Sequence, residues 1–377
     1  MDTKFQNKKV IVTGASGQDG SYMIDFLLEN TKYEVIGAIR RTSQLIDSHF
    51  KHHLNNPRFK IIHFDLSDPH SITNTIKNEK PDYFINLGAQ SFVADSWQSP
   101  ANHFQTNALA VVHILEAIKN YRPSCRFYNA GSSEEFGDVA YSPQDENHPM
   151  RPRSPYGASK VAARCIVKVY RESYGLFAIQ GFLFNHESER RQDYFVTRKI
   201  TQNVARIKKE IETGKKNTPL ELGNLDSKRD WSDAECFVDG IWKMINQEKY
   251  NKDFPIVIGG PTEEQERIYN YSKNIKEYVL SSNETHTIRE FVELAFQAAG
   301  IFGEWIGSGV NEIFKEKESG KILMVVNEKF YRPAEVDILL GDSSLARKEL
   351  GWQPKTSFKQ LVEKMVKNDL NLCNLNK

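Results

Sequence analysis

The sequence has few cysteines, and none lies in a spacing typical of metal or redox sites. Its 377 residues contain four, Cys125, Cys165, Cys236 and Cys373, and no two form a CxxC pair. Zinc ribbons and dithiol sites need such pairs, and disulfide-stapled domains need a far higher cysteine density. We therefore expect reduced cysteines in the core of a cytoplasmic protein.

Long apolar runs and an excess of one charge are also missing. No stretch approaches the ~18 apolar residues that a membrane span requires. The first residues, MDTKFQNKKV, lack the apolar segment of a signal peptide. Lys plus Arg number 50 and Asp plus Glu number 49, for a net charge of +1. We therefore expect a cytoplasmic protein that binds neither nucleic acid nor membranes.

Apolar and aromatic residues are abundant enough for a large core. They include 22 Phe, 15 Tyr and 5 Trp, within a hydrophobic fraction of 39%. The first half alternates short apolar runs with helical patterns. The predicted strands cover residues 9–13, 34–39, 59–64, 83–87, 125–130, 176–183 and 254–258, and the predicted helices cover 20–30 and 103–120. This alternation is typical of an α/β protein with a doubly wound parallel sheet.

The pattern becomes less regular after about residue 185, which predicts a second, smaller domain. We expect residues 1–186 to form the first domain, with a segment at about 233–260 returning to it. Residues 187–232 and 261–377 would form the second, discontinuous domain. Capping boxes predict helices over residues 287–300 and from residue 357 onward. Residues 261–285 form a polar excursion, which we expect to be helical over 263–278.

A glycine motif, Gly14-x-x-Gly17-x-x-Gly20, follows the first strand and opens the first helix. Glycines allow a tight turn and a close approach to a pyrophosphate at the helix N-terminus. The motif therefore predicts a dinucleotide cofactor, and the alternative is a glycine turn without a ligand. The residues assigned to the cofactor here are Gly14, Ala15, Ser16, Gly17, Gln18, Asp19 and Gly20.

The end of the second strand indicates which dinucleotide binds. An NAD site usually has an acidic residue there, whereas this chain has Arg40 and Arg41, followed by Thr42 and Ser43. Guanidinium and hydroxyl groups suit a 2′-phosphate. The sequence therefore predicts NADP, bound by Arg40, Arg41 and Ser43. A solvated loop or a subunit contact is the alternative for these arginines.

Two further strand ends are assigned to the cofactor. Asp65 and Leu66 follow the third strand, where an adenine would lie, although Asp65 could instead stand beside a helix N-cap at Ser67. Small residues after the fourth strand would let the backbone approach the cofactor. The residues assigned here are Leu87, Gly88, Ala89, Gln90 and Ser91.

Two short motifs predict acid–base chemistry. Tyr156 and Lys160 are four residues apart on a helix capped by Ser154, so they share one face. A nearby ammonium stabilises a phenolate, which would let Tyr156 exchange a proton while a hydride moves. Ser132 and Glu134 follow the fifth strand, and the carboxylate suggests a second proton-transfer task. The alternative for Glu134 is a solvated loop charge.

Together these residues resemble a known family. The strings GASGQDGSY, NLGAQS, RFYNAGSSEEFG, RSPYGASK, LFNHES and FYRPAEVD are similar to those of the GDP-mannose 4,6-dehydratases, a branch of the extended short-chain dehydrogenase/reductases. The likeness covers most of the chain. It implies a Rossmann domain that binds NADP and a smaller domain that binds a GDP-sugar.

The resemblance implies a reaction without net oxidation. Tyr156, assisted by Lys160, would remove a proton as C-4 of the hexose is oxidised. Glu134 would abstract the C-5 hydrogen, water would leave from C-6, and the hydride would return to C-6. Ser132 stands where the family usually has Thr and would contact the C-4 oxygen. The rivals are a nucleotide-sugar 4-epimerase, a simple NADP oxidoreductase and a non-catalytic NADP-binding protein.

The resemblance also implies binding residues and an assembly. The substrate would contact Ser91, Ser132, Glu134, Asn185, Lys199, Arg229, Arg332 and Glu335, with the cations on the phosphates and Glu335 on guanine. His186 and Arg191 would contact the cofactor. An ordinary surface ion pair is the alternative for Arg332 or Glu335. A homo-oligomer is expected, with a tetramer favoured over a dimer.

Several positions depart from the family pattern. Phe92 replaces a His, Ser132 a Thr, Glu135 and Phe136 an apolar residue and a Tyr, and Glu189 a Pro. The changes at Phe92, Ser132 and Glu135–Phe136 would together enlarge the pocket at C-6 and admit a further carbon there. Neutral drift in a GDP-mannose enzyme is the equally weighted alternative. The substrate is then GDP-mannose or a GDP-manno-heptose.

Three histidines, His49, His52 and His53, lie close together in the sequence. No carboxylate or thiol stands at ligand spacing near them. We therefore expect no metal site here, and interpret the histidines as part of a solvated loop or a subunit contact.

Overall fold

The computed structural model describes residues 8–41, 49–216, 218–251, 271–331 and 338–375. Within them the strands are β1 (Lys9–Thr13), β2 (Glu34–Ile39), β3 (Phe59–His63), β4 (Tyr83–Asn86), β5 (Arg126–Ala130), β6 (Ala178–Leu183), β7 (Asn185–Glu187), β8 (Leu220–Leu222), β9 (Lys228–Arg229), β10 (Trp231–Asp233), β11 (Val279–Leu280), β12 (His286–Thr287), β13 (Gly303–Ile306), β14 (Ile313–Glu316), β15 (Ile322–Val326) and β16 (Ile338–Leu339). The helices are α1 (Gln18–Asn30), α2 (Pro69–Glu79), α3 (Pro100–Phe104), α4 (Ala110–Tyr121), α5 (Pro155–Tyr174), α6 (Val196–Glu212), α7 (Ala234–Ile245), α8 (Ile288–Ala298), α9 (Ser344–Leu350) and α10 (Phe358–Leu375). None of these helices is long and apolar enough to cross a membrane.

A seven-stranded parallel sheet organises the first half, in the order β11-β6-β5-β4-β1-β2-β3. The chain runs outward from β1 to β3, then returns to β4 and runs outward on the other side. The switch point lies between β1 and β4, where ligands bind in folds of this type. The predicted α/β doubly wound fold is confirmed.

Helices cover both faces of this sheet. Side chains alternate along a strand, so Val10 and Val12 of β1 pack in one core while Ile11 packs in the other. The first core includes Phe237 of α7, and the second includes Ile114 of α4. Burial on both faces explains why the strands are near-continuous apolar runs in the sequence.

A third core lies outside the sheet. It packs α6, α8 and α10 against the strands β8, β14 and β15. The two capping boxes predicted from the sequence are present: Thr287 with Glu290 begins α8, and Ser357 with Gln360 precedes α10.

Part of the predicted polar excursion differs from expectation. Residues 252–270, which include the predicted strand at 254–258, lie outside the described residues. The expected helix over 263–278 is wrong in its last residues. Residues 271–273 are helical, whereas residues 274–278, which lead to β11, are not. Glu277 there turns its carboxylate to the guanidinium groups of Arg164 and Arg171, which holds this segment against β6.

The same region bears on the domain division. Tyr278 and Leu280, as well as Trp352 after α9, pack in the first core of the sheet, although they follow residue 261. The division of the chain into two domains at the predicted boundaries stays a prediction.

A buried ladder of polar side chains crosses the carboxyl edge of the sheet. Thr13, Asn86, Asn129 and Gln180 are directly paired in register on β1, β4, β5 and β6. The Thr13 hydroxyl donates to Asn86 Oδ1 at 2.6 Å, and Asn86 Nδ2 donates to Asn129 Oδ1 at 2.7 Å. Asn129 Nδ2 then donates to Gln180 Oε1 at 2.6 Å. Because an unpaired buried polar group costs ~1–3 kcal/mol, these bonds strongly specify the register of four strands.

Candidate active site

A large cleft, of about 2160 Å³, opens at the carboxyl ends of β1, β4 and β5. The sequence-predicted residues that line it are Gly14, Ser16, Gly17, Gln18, Asp19, Gly20, Arg40, Asp65, Leu66, Leu87, Gly88, Ala89, Gln90, Ser91, Ser132, Glu134, Tyr156, Lys160, Asn185, His186, Arg191, Lys199 and Arg229. Ala15 is fully buried and Arg41 is exposed, and neither lines the cleft. Ser43, Arg332 and Glu335 lie outside the described residues.

The glycine loop has the shape that a dinucleotide site requires. Gly14 has a φ of +64°, a left-handed conformation that favours glycine. A Cβ on Gly20 would lie 2.2 Å from the Gly14 carbonyl oxygen, so α1 can pack this closely only without a side chain. The N-cap of α1 is Gly17, which provides no side-chain cap. The positive end of α1 therefore faces the cleft and fits a pyrophosphate.

The ends of β2 and β3 form the next part of the cleft wall. Arg40 lines the cleft directly after β2. Asp65 Oδ1 accepts from the Ser67 backbone N–H at 2.8 Å and from its hydroxyl at 2.7 Å, and these bonds lower the Asp65 pKa. The N-cap of α2 is Asp68, not Ser67 as the alternative interpretation supposed.

Asn107 supports the cleft wall without lining the cleft, and the sequence analysis missed this role. It lies in a π-helical turn, Gln105–Leu109, which interrupts the predicted helix over 103–120 between α3 and α4. Its side chain accepts from the Gln90 N–H and donates to the Gln90 carbonyl, both at 2.9 Å. It also donates to the Ser159 hydroxyl at 3.1 Å. Asn107 thus fixes the loop after β4 to α5, and a buried amide in an apolar helical pattern was its only signal.

An ion pair joins the glycine loop to the far wall of the cleft. His186 Nε2 lies 2.9 Å from Asp19 Oδ2, and His186 Nδ1 lies 2.7 Å from the Phe184 carbonyl oxygen. Burial alone would lower the His186 pKa, but the Asp19 carboxylate raises it above its usual value. Burial likewise opposes ionisation of Asp19, yet His186 brings the Asp19 pKa down to about 2. Both shifts favour the charged forms of the two groups.

The four predicted catalytic residues meet in the cleft. Ser132, Tyr156 and Lys160 are buried, and Glu134 is half-buried. Lys160 Nζ lies 5.8 Å from the centre of the Tyr156 ring and donates to the Ala130 carbonyl at 2.8 Å. The Ser154 hydroxyl accepts from the Gly157 N–H at 3.0 Å and caps α5 as predicted.

The electrostatics of Tyr156 differ from the expectation. Burial raises the Tyr156 pKa, as do the carboxylates of Glu134 and Glu135, while a hydrogen bond with Ser132 lowers it. Burial also lowers the Lys160 pKa to about 8, against the opposing pull of Glu135 and Asp19. Lys160 therefore does not offset the burial of Tyr156 in this state, because its ammonium is directed to the Ala130 carbonyl. Tyr156 here is a neutral phenol.

Cations and aromatic rings line the other half of the cleft. Lys199 Nζ lies 3.5 Å from the centre of the Phe330 ring and donates to the Glu221 carbonyl at 2.7 Å. Arg229 on β9 is buried, and its guanidinium donates to the Lys228 carbonyl at 2.8 Å. Asn185 Oδ1 is buried without a partner among the described residues. These groups suit a ligand with phosphates.

Comparison with known proteins agrees with these features. The family model described as GDP-mannose 4,6 dehydratase matches residues 11–268 and 262–365. A GDP-mannose 4,6 dehydratase of Drosophila melanogaster is 39% identical over 380 residues, covering 98% of this chain and 88% of that protein. The chain belongs to the GDP-mannose 4,6-dehydratase family.

Solved structures outside this family share the fold. The dTDP-glucose 4,6-dehydratase from Bacillus anthracis, in complex with NAD, has a TM-score of 0.72 at 18% identity. The match covers 98% of both chains. RMD from Pseudomonas aeruginosa, complexed with NADPH, has a TM-score of 0.70 at 22% identity, covering 97% of this chain and 99% of that chain. The fold is thus seen with either dinucleotide.

The departures from the GDP-mannose 4,6-dehydratase pattern fall in different places. Ser132 and Phe92 line the cleft, and the Phe92 ring lies 4.9 Å from that of Tyr194. Glu135 and Phe136 do not line it, since both are fully buried. Phe136 stacks on Phe182 at 5.1 Å instead. The expectation that Glu135 and Phe136 enlarge the sugar pocket is wrong.

The last of these departures, Glu189, joins distant helices. Its carboxylate accepts from the Tyr22 hydroxyl of α1 at 2.6 Å and lies 3.6 Å from Lys364 Nζ of α10. A carboxylate in place of proline thus ties the C-terminal helix to the first one.

The histidine cluster meets a carboxylate that is distant in sequence. Asp25 Oδ1 of α1 lies 3.2 Å from His52 Nε2 and 2.7 Å from His53 Nε2. The other Asp25 oxygen already pairs with Arg190 Nη1 at 2.7 Å. Because this guanidinium would repel a dication, we interpret the three side chains as part of an ion-pair cluster.

Proposed function

We propose that this protein is an NADP-dependent GDP-mannose 4,6-dehydratase. It would oxidise the hexose at C-4, eliminate water across C-5 and C-6, and return the hydride to C-6, giving the 4-keto-6-deoxy sugar nucleotide. The observation that carries the proposal is one cleft that unites a dinucleotide-type glycine loop, the Tyr156–Lys160 pair and the Ser132–Glu134 pair.

The oxidation step is assigned to Tyr156, Lys160 and Ser132. Tyr156 exchanges a proton with the C-4 hydroxyl, and Ser132, which hydrogen-bonds with Tyr156, holds the C-4 oxygen. The nicotinamide, when bound, accepts and returns the hydride and in its oxidised form adds a positive charge to the cleft. Positive charge favours the phenolate, which offsets the burial that otherwise keeps Tyr156 protonated.

The elimination step is assigned to Glu134. The new 4-keto group acidifies the C-5 hydrogen, and a carboxylate is a sufficient base for it. Glu134 lies on the short helical turn Ser133–Glu135, directly after β5, and lines the cleft with partial exposure. A 4-epimerase or a simple oxidoreductase has no use for this carboxylate, which is why we favour a dehydratase over both rivals.

Substrate binding is assigned to the cationic half of the cleft. Lys199 and Arg229 would contact the two phosphates, and Asn185, whose Oδ1 has no partner in the described part of the chain, also lines the cleft. Lys329 lines the same region and was not among the predicted residues. Arg332 on phosphate and Glu335 on guanine remain assignments from the family resemblance.

The choice of NADP is based on Arg40. It lines the cleft at the end of β2, where an NAD enzyme usually has an acidic residue. A guanidinium attracts a 2′-phosphate, and an aspartate would repel it. Arg41 is exposed outside the cleft, so Arg40 is the stronger candidate of the pair.

GDP-manno-heptose is a second candidate substrate, favoured by Ser132. This residue has one methyl group fewer than the family's Thr, and it lines the cleft with Phe92. Two of the four positions that suggested a larger pocket are buried elsewhere, so GDP-mannose stands first. The cytoplasmic location and the homo-oligomer remain predictions from the sequence.

The first prediction concerns the cofactor. Nucleotide released from the purified protein by denaturation should be NADP or NADPH when separated by chromatography. Arg40→Asp should weaken NADP binding relative to NAD by about 10- to 100-fold, since hydrogen bonds to charged groups contribute ~1.5–3 kcal/mol. Arg41→Asp is the matched control and should have the smaller effect. Release of NAD alone would exclude the NADP proposal.

The second prediction separates the two catalytic steps. Glu134→Gln keeps the shape of the side chain but removes the base, so NADPH absorbance should persist in a single turnover with GDP-mannose. Tyr156→Phe should give no NADPH signal, because the first hydride transfer fails. Each variant should lose ~10²–10⁴-fold in kcat. Losses below tenfold in both would contradict these roles.

The third prediction concerns the sugar. One methyl group in a pocket is worth ~1–3 kcal/mol, or roughly 10–200-fold in discrimination. If the heptose is a natural substrate, Ser132→Thr should lower kcat/KM for GDP-manno-heptose more than for GDP-mannose. A tenfold or greater native preference for GDP-mannose that Ser132→Thr leaves unchanged would end the heptose alternative.

A further inference from the structure

A fully buried carboxylate lies directly beneath the catalytic turn. Glu135 is 0% exposed, which is rare for this residue type unless it is paired. Its Oε1 accepts from the Ser132 backbone N–H at 2.8 Å, closing a capping box around the turn that carries Glu134. Two catalytic residues are therefore held by the side chain of a third residue that the cleft does not touch.

The partner of Glu135 lies on the helix that carries the other two catalytic residues. Arg164 Nε donates to Glu135 Oε2 at 2.5 Å. Arg164 follows Lys160 by four residues on α5, and Lys160 follows Tyr156 by four, so all three share one face of the helix. The ion pair thus ties the turn that bears the elimination base to the face that bears the oxidation groups.

Charge balance allows this pair to stay buried. Arg164 also pairs with Glu277, and Glu277 pairs with Arg171, so two guanidinium groups meet two carboxylates. The Arg164 guanidinium packs 3.4 Å from the centre of the Phe182 ring. A buried ion pair needs such complete pairing, because an uncompensated charge there costs several kcal/mol.

A second link reaches Lys160 through the polar ladder. Gln180 Nε2 donates to Glu135 Oε1 at 3.0 Å and to the Lys160 carbonyl at 2.9 Å. Gln180 is the last member of the ladder, so Glu135 is joined to β1, β4 and β5 through side-chain amides. At the position where the family pattern has an apolar residue, this chain has Glu135, whose carboxylate accepts hydrogen bonds from Ser132, Arg164 and Gln180.

We propose that Glu135 is a positioning residue, which through Arg164 and Gln180 fixes the distance between the elimination base Glu134 and the oxidation pair Tyr156–Lys160. The inference rests on the proposed dehydratase function. A dehydratase needs both sets of groups aligned on adjacent carbons of one sugar ring, and misplacement by about 1 Å can cost ~10²-fold in rate.

Glu135 also affects the charge of Lys160. The titratable groups that face Lys160 are Glu135 below the turn, Asp19 of α1 and Tyr156 of its own helix. The two carboxylates raise the Lys160 pKa against burial. Removing the Glu135 charge lowers that pKa, so Lys160 loses its proton at a lower pH.

The test compares Glu135→Gln with Asp369→Asn. Asp369 is an equally buried carboxylate that pairs with Arg198 away from the cleft, so it controls for lost stability. Glu135→Gln should lower kcat for GDP-mannose by tenfold or more with KM within about threefold. The alkaline limb of its kcat–pH profile should move to lower pH, and Asp369→Asn should leave that limb unchanged.

A second readout needs no turnover. Protein labelled with ¹³C-lysine, with the Lys160 signal assigned by Lys160→Arg, should show a lower Lys160 titration midpoint in Glu135→Gln than in the native protein and in Asp369→Asn. An unchanged midpoint, or equal kcat losses in both variants, would overturn the proposal. If the native protein dehydrates neither GDP-sugar, the proposed function fails, while this titration still shows whether Glu135 is coupled to Lys160.

A double variant protects the test against misfolding. Glu135→Leu with Arg164→Met removes both charges, and such replacements of buried ion pairs often preserve folding. The double variant removes the acceptor of the Ser132 N–H, so kcat should again fall tenfold or more with a cooperative thermal transition retained. A folded double variant with native kcat would overturn the proposal.

Discussion

The polar ladder at the carboxyl edge of the sheet is the constraint on which the cleft depends. Thr13, Asn86, Asn129 and Gln180 are buried in four neighbouring strands and satisfy one another in register. A shift of any strand by one residue would leave buried amides without partners and turn its apolar set to the wrong face. The Thr13 hydroxyl also accepts from the Gly88 N–H at 3.0 Å, so the loops after these strands are fixed with them. The ladder thus determines where the cofactor loops and the catalytic turn can lie.

This arrangement explains how one cleft can serve two proton transfers. Tyr156 and Lys160, the pair proposed for the oxidation, stand on α5, whereas Glu134, the proposed elimination base, stands on a short turn after β5. Separate elements would drift relative to one another without a link. Gln180 and the Glu135–Arg164 pair provide that link beneath the cleft, and charged groups at 2.5–3.0 Å hold it more firmly than neutral ones would. One chain of contacts thus connects the sheet, the polar ladder and the residues proposed for the reaction.

Local patterns predicted much of the fold, because the burial of a strand and the capping of a helix depend on residues that are close together in the sequence. β1 and β2 have the predicted bounds, and the capping box at Thr287 begins α8. Contacts between distant residues could not be predicted in the same way. Phe136 was expected in the pocket but packs on Phe182, since a sequence does not say which way a side chain turns after a strand. The Asp25 partner of the histidines and the Asn107 contact with Gln90 also arise only when distant elements meet.

The central claim is that a single hydride leaves C-4 and returns to C-6 of the same sugar within one cleft. GDP-mannose carrying deuterium at C-4 tests it most directly, with the product examined by NMR and mass spectrometry. We predict that the deuterium is retained at C-6 of the 4-keto-6-deoxy product and that a proton from solvent is incorporated at C-5. Loss of the deuterium to solvent, or its recovery in free NADPH with no deoxygenated sugar, would contradict the account.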